Sequence, residues 1–311
     1  MVIVSPDRFP PLSTAQVADV FARILGAREI PLIDGYAGTS QHFAGERVAL
    51  PTTSATGRLT EAEYTYSAEI RTAFIDAAIA APATADADIL TGDSYGVGVL
   101  IADALSRGAH TIVLAAGDAG FLDAGAGVLT ALGVKLQAEN GRQRSPGARG
   151  LEELSSIDLT GLSMHALGVT WIVYSPAPCG IDGLPAGVQK FIEVAEITPG
   201  PTSGSGGGLP LALSFLTTID GSNKKVLAFN PLALTDPYST LREECTGEIV
   251  ITATPEPGPS QLTTAVRKAC TDAAHVIELT GATPGLPSPA PGADWTPAFL
   301  EAWAISARSA L

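Results

Sequence analysis

Residues 113–136, VLAAGDAGFLDAGAGVLTALGVKL, read as a buried strand, a glycine-rich turn and a helix. The turn itself carries two aspartates, Asp118 and Asp123, and no serine, threonine, lysine or arginine. A glycine-rich turn between strand and helix exposes bare amides and a helix N-terminus, which suit an anion. Two carboxylates in that place suit a metal or a hydroxyl better than a bare phosphate.

The same strand–turn–helix pattern recurs on either side. VIVSPDRF at the N-terminus is a strand running into a polar turn, and STAQVADVFARIL starts a helix. Ser13 or Thr14 is its N-cap, and Val17, Val20, Phe21 and Ile24 form its apolar face. EIPLIDGYAGTSQHF repeats strand, glycine turn and helix. EAEYTYSAEIRTAFIDAAIAA and GVGVLIADALSRGA read as helices, VTWIVYS and FIEVAEI as strands, and ITPGPTSGSGGGLP as a loop or hinge. Beyond it, KKVLAFN, a helix near PYSTLREEC, the strand EIVITA, the helix TTAVRKACTDA and the strand HVIELTG resume the alternation. A loop, ATPGLPSPAPGAD, and a terminal helix, WTPAFLEAWAISARSAL, close the chain. Strand alternating with helix is the signature of an open α/β sheet, whose ligands bind at the carboxyl ends of strands. Asp7 and Asp34 both fall at such ends.

Bulk properties narrow the function. The chain has 311 residues, 46% of them hydrophobic, so it builds a real core. Its formal charge of −14, from 18 basic and 32 acidic residues, excludes nucleic acid and anionic membrane surfaces as partners. Three scattered cysteines, Cys179, Cys245 and Cys270, with no C-x-x-C spacing, fit free thiols in the cytoplasm. The first apolar run is too short for a signal peptide, and no run is long enough to cross a membrane. There is no G-x-x-x-x-G-K-[ST] loop and no G-x-G-x-x-G after a strand. The four histidines are too scattered for a metal site. The basic loop GRQRSPGARG, with Arg142, Arg144 and Arg149, could grip a phosphate, though a solvated loop is the favoured reading.

Taken in order, several stretches resemble the type I glycerate kinases. They are VIVSPDRF, IDGYAGT, SYGVGVLIADALSRGA, GDAGFLDAGAGVLTALGVKL, LEELSSIDLTGL, the PCG around Cys179, SGGGLPLALSFL and EIVIT. The resemblance runs from the first strand to about Gly281 and thins after Gly208. It implies two α/β domains: a discontinuous Rossmann-like or flavodoxin-like domain, residues 1–48 and 223–311, and an inserted mixed α/β domain, residues 49–222. The cleft between them would hold ATP, Mg²⁺ and a glycerate-like small molecule, in a protein expected to form a homodimer. Asp7, Asp34, Asp123 and Arg8 are the implied catalytic groups. Thr39, Gly38, Ser94, Gly117, Gly125, Gly127 and Gly207 are the implied substrate- and nucleotide-binding positions; no metal ligand is assigned.

The chain departs from the family at most polar positions. A G-G-S-x-T-N-D-G-G-x-G turn has become Gly117-Asp118-Ala119-Gly120-Phe121-Leu122-Asp123-Ala124-Gly125-Ala126-Gly127. P-D-S-F-K has become Pro6-Asp7-Arg8-Phe9-Pro10, and the glutamates of D-G-G-E-G-T and Y-G-T-G-E are Ala37 and Val99. The aspartates before the matched cysteine are absent, and Pro255 and Pro257 stand in the T-G-E-G stretch. Phosphoryl transfer depends on positioned charges, and removing one commonly costs about a hundredfold in rate. Two readings stay open. One is a divergent kinase in which Asp123 orients or deprotonates the acceptor hydroxyl, Arg8 replaces the lysine and Thr39 binds substrate. The other is a non-catalytic binding or regulatory module on the same fold.

Overall fold

Ile3 and Val4, neighbours in the first strand, face opposite ways, and apolar residues wait for them on both sides of the sheet. The computed structural model describes residues 1–84, 88–231, 239–287 and 294–310. In chain order it begins with β1 (Val2–Val4), α1 (Thr14–Leu25), β2 (Arg28–Glu29), β3 (Glu46–Thr53), β4 (Leu59–Ser67) and β5 (Thr72–Asp76). There follow α2 (Ala77–Ala80), α3 (Tyr95–Ser106), β6 (Thr111–Ala115), α4 (Ala126–Ala131), β7 (Lys135–Ala138), α5 (Gly147–Leu151) and β8 (Leu154–Asp158). Next are β9 (Thr170–Tyr174), α6 (Ala186–Val194), α7 (Ser205–Ile219), β10 (Ala228–Phe229) and α8 (Ser239–Glu244). The chain ends with β11 (Ile249–Ala253), α9 (Gln261–Ala269), β12 (His275–Leu279) and α10 (Pro297–Ala310).

Two compact units are formed, Met1–Asp34 with Pro231–Leu311, and Gly35–Asn230. The expected cut at 48/49 falls inside β3, which pairs with β4 along its whole length, so that strand goes with the second unit.

The first unit holds a four-stranded all-parallel sheet in the order β12-β11-β1-β2. Val4, Phe21 and Trp303 pack on one face, under α1 and α10, with Phe9 edge-on to Trp295 at 4.6 Å. Ile3, Val250 and Val266 pack on the other, under α8 and α9. Ser13 caps α1 as a full capping box: its Oγ accepts from Gln16 N, and Gln16 Oε1 accepts from Ser13 N at 2.9 Å. Gly26, left-handed at φ 66°, ends the helix.

The second unit holds a six-stranded sheet in the order β10-β9-β6-β5-β4-β3. The strands from β10 to β5 run parallel, and β4 and β3 are added antiparallel. Antiparallel β7 and β8 form a separate ribbon. Three expectations fail here. EAEYTYSAEIRTAFIDAAIAA is not a helix; it supplies most of β4, a tight turn with Arg71 at φ 51°, all of β5, and only one helical turn, α2. Ala62, Tyr64 and Tyr66 are buried at period two, and β5 is buried on both faces, a pattern only a central strand satisfies. FIEVAEI is not a strand; its first half ends α6, where Val188 and Phe191 are buried at helical spacing. SGGGLPLALSFL is not a flexible hinge but the start of α7, buried from Gly208 to Leu213. The helix expected after IDGYAGT, also in this unit, shrinks to one 3-10 turn, Thr39–His42. Part of the expected loop ATPGLPSPAPGAD, residues 288–293, and Pro237 and Tyr238 of PYSTLREEC lie outside the described residues. Among the described residues no helix is long and apolar enough to cross a membrane.

Candidate active site

Four parallel strands of the second unit, β5, β6, β9 and β10, end on the same side, at Asp76, Ala115, Tyr174 and Phe229. That edge is where an open α/β sheet takes its ligands. The segments after β5 and β6 hold each other, with Ala83 N donating to Asp118 O and Gly120 N to Ala81 O, and Asn230 Nδ2, just past β10, donates to Pro176 O, just past β9.

Asp76 ends β5 and is buried. Its carboxylate accepts from Gly38 N at 3.0 Å, Ser40 N at 3.0 Å and Ser40 Oγ at 2.7 Å. Burial raises its pKa, and these hydrogen bonds act the other way. The turn it grips needs Gly38 at φ 99°, a conformation closed to other residues at ordinary strain. Thr39 follows, buried, and its hydroxyl has no partner among the described residues. The sequence reading missed Asp76 because it placed that residue inside a helix.

The glycine turn after β6 is built around a second buried carboxylate. Asp123 is 0% exposed. Its Oδ2 accepts from Ser94 N at 2.9 Å, Ser94 Oγ at 2.8 Å and Gly127 N at 2.9 Å, and its Oδ1 accepts from Gly125 N at 3.0 Å. Ser94 Oγ in turn accepts from Val128 N at 3.1 Å. The network ties the start of α3 to the start of α4. Gly127 admits it: a Cβ there would collide with Asp93 Oδ1 and Tyr95 N. Gly117 donates to Gly35 O at 2.9 Å and leaves room for the Tyr36 ring. Gly207 O accepts from Ala124 N at 2.9 Å, and a Cβ on Gly207 would strike the Phe121 carbonyl. Gly206, Gly207 and Gly208 are all left-handed, so the chain enters α7 through a coil that glycine alone makes easily.

Gly38, Thr39, Ser94, Gly117, Asp123, Gly125, Gly127 and Gly207 therefore all belong to turns of the second unit. Asp7, Arg8 and Asp34 belong to the first. Asp7 accepts from Arg8 N at 2.7 Å and from the Ser260 hydroxyl; burial raises its pKa. Asp34 is buried.

Mg²⁺ does not fit the carboxylate that best matches the family turn. Asp123 Oδ2 already takes three N–H and O–H donors and Oδ1 one, and the side chain is fully buried. The carboxylate is therefore placed as a structural acceptor and not as an open ligand for a hydrated cation. Among the described residues no three His, Cys, Asp or Glu side chains converge as a metal cage.

Comparison with known proteins agrees with this architecture. The structure resembles a crystal structure described as a glycerate kinase 2 candidate from Salmonella typhimurium LT2, with a TM-score of 0.72 and 20% identity, covering 99% of this chain and 96% of that one. The chain is 33% identical over 176 residues to a glycerate kinase of Halalkalibacterium halodurans and 34% identical over 181 residues to the glycerate 2-kinase of Escherichia coli. It is 29% identical over 266 residues to a glycerate kinase of Bacillus subtilis. These matches take in 51%, 52% and 72% of this chain respectively. The chain spans about half the length of the first two, 46% of each, and 69% of the third. A sequence model of the glycerate kinase family matches residues 2–184, more than half of the chain, and the chain belongs to that family.

Proposed function

We propose that this family member transfers phosphate from ATP–Mg²⁺ to glycerate weakly or not at all, and keeps the fold as a small-molecule binding module. One observation carries the reading: Asp123 is buried and accepts four hydrogen bonds from Ser94, Gly125 and Gly127. A carboxylate in that state braces two helix starts and is not placed to take a proton from an acceptor hydroxyl. The polar partners that would compensate are missing from the sequence. Ala119, Phe121 and Leu122 occupy the turn, Val97 and Val99 occupy the start of α3, and Phe121 is 1% exposed. Three free cysteines agree with a cytoplasmic setting.

The test is ADP release with D-glycerate and ATP–Mg²⁺, run beside the Escherichia coli relative. Several lost groups, each worth ~10²-fold and not fully additive, predict turnover lower by about 10³-fold or more. Turnover within tenfold of the relative overturns the proposal.

A further inference from the structure

Beside the glycine turns, the second unit contains a cavity of about 580 Å³ between the β3–β4 hairpin, the start of α3 and the loop before α5. This volume suits a ligand well above three carbons in size. Arg144 lines it. The favoured solvated-loop reading fails for this residue, which is only 8% exposed, whereas Arg142 and Arg149 are exposed and Arg149 pairs with Asp88 at 2.8 Å. Arg144 Nη1 donates to Ser145 O at 2.6 Å and to Gly147 O at 3.3 Å. Among the described residues its Nε, sealed from the cavity, has no partner, Nη2 is engaged by no hydrogen bond and is the N–H left to a ligand, and Arg144 forms no ion pair. Asp93 and Asp123 act on it only through space. A guanidinium taken out of water without a paired anion is costly, and a ligand carboxylate accepting from Nη2 would supply that anion. The start of α3, at Tyr95, adds the positive end of a helix dipole.

The rest of the lining defines the ligand further. Asp93 is the one carboxylate among the lining residues, so a doubly charged phosphate is disfavoured against a singly charged group. Thr53, Ser54, Thr56, Thr91, Thr130 and Gln143 supply hydroxyls and an amide. Thr91 already donates to Asp88 O and Thr130 to Ala126 O, so their free lone pairs accept from ligand hydroxyls.

We infer that this cavity binds a polyhydroxy monocarboxylate of sugar-acid size, its carboxylate on Arg144 and its hydroxyls on the threonine-rich wall. The site shares no residue with the glycine turns and does not depend on whether phosphoryl transfer survives.

The test is calorimetry and amide chemical-shift mapping on the full chain with D-gluconate, D-glucose, hexanoate and inorganic phosphate. Gluconate should bind with shifts confined to residues 53–57, 91–95 and 143–146. Glucose and phosphate should bind at least tenfold more weakly, and hexanoate, lacking hydroxyls, should fall between. Arg144→Gln should weaken gluconate by about ten- to a hundredfold, the range for a charge-assisted hydrogen bond. Asp93→Asn, which removes the like charge, should tighten it at pH 7.5. Equal binding of glucose, shifts mapping instead to 35–40 and 204–208, or no binding of gluconate to the parent protein would each overturn the inference. The parent-protein mapping decides the matter even if Arg144→Gln does not fold.

Discussion

Two regions of the second unit treat buried charge in opposite ways. In the glycine turns, Asp76 and Asp123 accept from backbone and hydroxyl donors, and each holds a turn in shape. In the cavity beside the start of α3, Arg144 keeps an unpaired N–H and has no ion-pair partner among the described residues. A single step along the chain links them: Ser94 belongs to the first region and Asp93 to the second. The contrast teaches that family resemblance and chemical availability are separate properties. Asp123, which matches the family pattern, is spent on structure, while Arg144, a charged group with spare bonding capacity, lies in a loop that carries none of the matched motifs.

The strongest way to break the contrast is Asp123→Ala. If Asp123 is a brace, its loss strands the N–H groups of Ser94, Gly125 and Gly127 in a dry interior. Each unsatisfied donor costs about 1–3 kcal/mol, so urea unfolding should show a loss of about 3 kcal/mol or more. Asp123→Asn, which still accepts at one oxygen, should lose markedly less. An alanine variant as stable as the parent protein would return Asp123 to the list of groups free for chemistry.

Gly127→Ala should have the next largest effect. The added methyl collides with Asp93 Oδ1 and with the backbone N of Tyr95, one of which is main chain and cannot swing aside. Overpacking of this kind costs about 1–3 kcal/mol. It also sharpens the comparison, because it pushes on both regions at once: gluconate binding and stability should fall together. A loss of stability with gluconate affinity unchanged would mean the two regions are mechanically independent.

How much of this was legible beforehand depends on the range of the forces involved. The capping box at Ser13 and the strand at Val113 are set by neighbours within a few residues, and the sequence states them openly. Ala62, Tyr64 and Tyr66 alternate correctly, but alanines and glutamates between them favour helix, and only pairing with β3 and β5 makes the stretch a sheet. FIEVAEI carries β-branched residues whose helical spacing becomes visible only with the upstream Val188 included. The grouping of Ser94, Gly125 and Gly127 with Asp123 followed from ordered motifs, although their role as brace did not. Arg144 was opaque for a different reason. GRQRSPGARG is polar and glycine-rich, and its one buried arginine is selected by hairpin residues almost ninety positions away. Asp76 was hidden by a wrong secondary-structure assignment.

The smallest expected effect probes Asp93, where the two regions meet. Its pKa is raised to about 6, first by burial and then by the charge of Asp123, while Arg144 and the amides of Tyr95 and Gly147 pull it down. A carboxyl raised in the folded state binds its proton more tightly there than in the unfolded chain. Stability is therefore highest below the unfolded value near 4 and falls as pH rises through about 6. A shift of this size corresponds to on the order of 1–3 kcal/mol once partial solvent screening is allowed for. Asp93→Asn keeps an oxygen to accept from Tyr95 N and removes the titration, so its stability should be flatter across this window. Urea unfolding of both proteins from pH 4 to pH 7.5 should show the asparagine variant gaining on the parent between about pH 4 and pH 6 and holding that gain above pH 6, with the difference closing at pH 4. The opposite slope, with the parent gaining as pH rises, would mean that Arg144 and Asp93 pair in solution, leaving the guanidinium no unmet demand for a ligand anion.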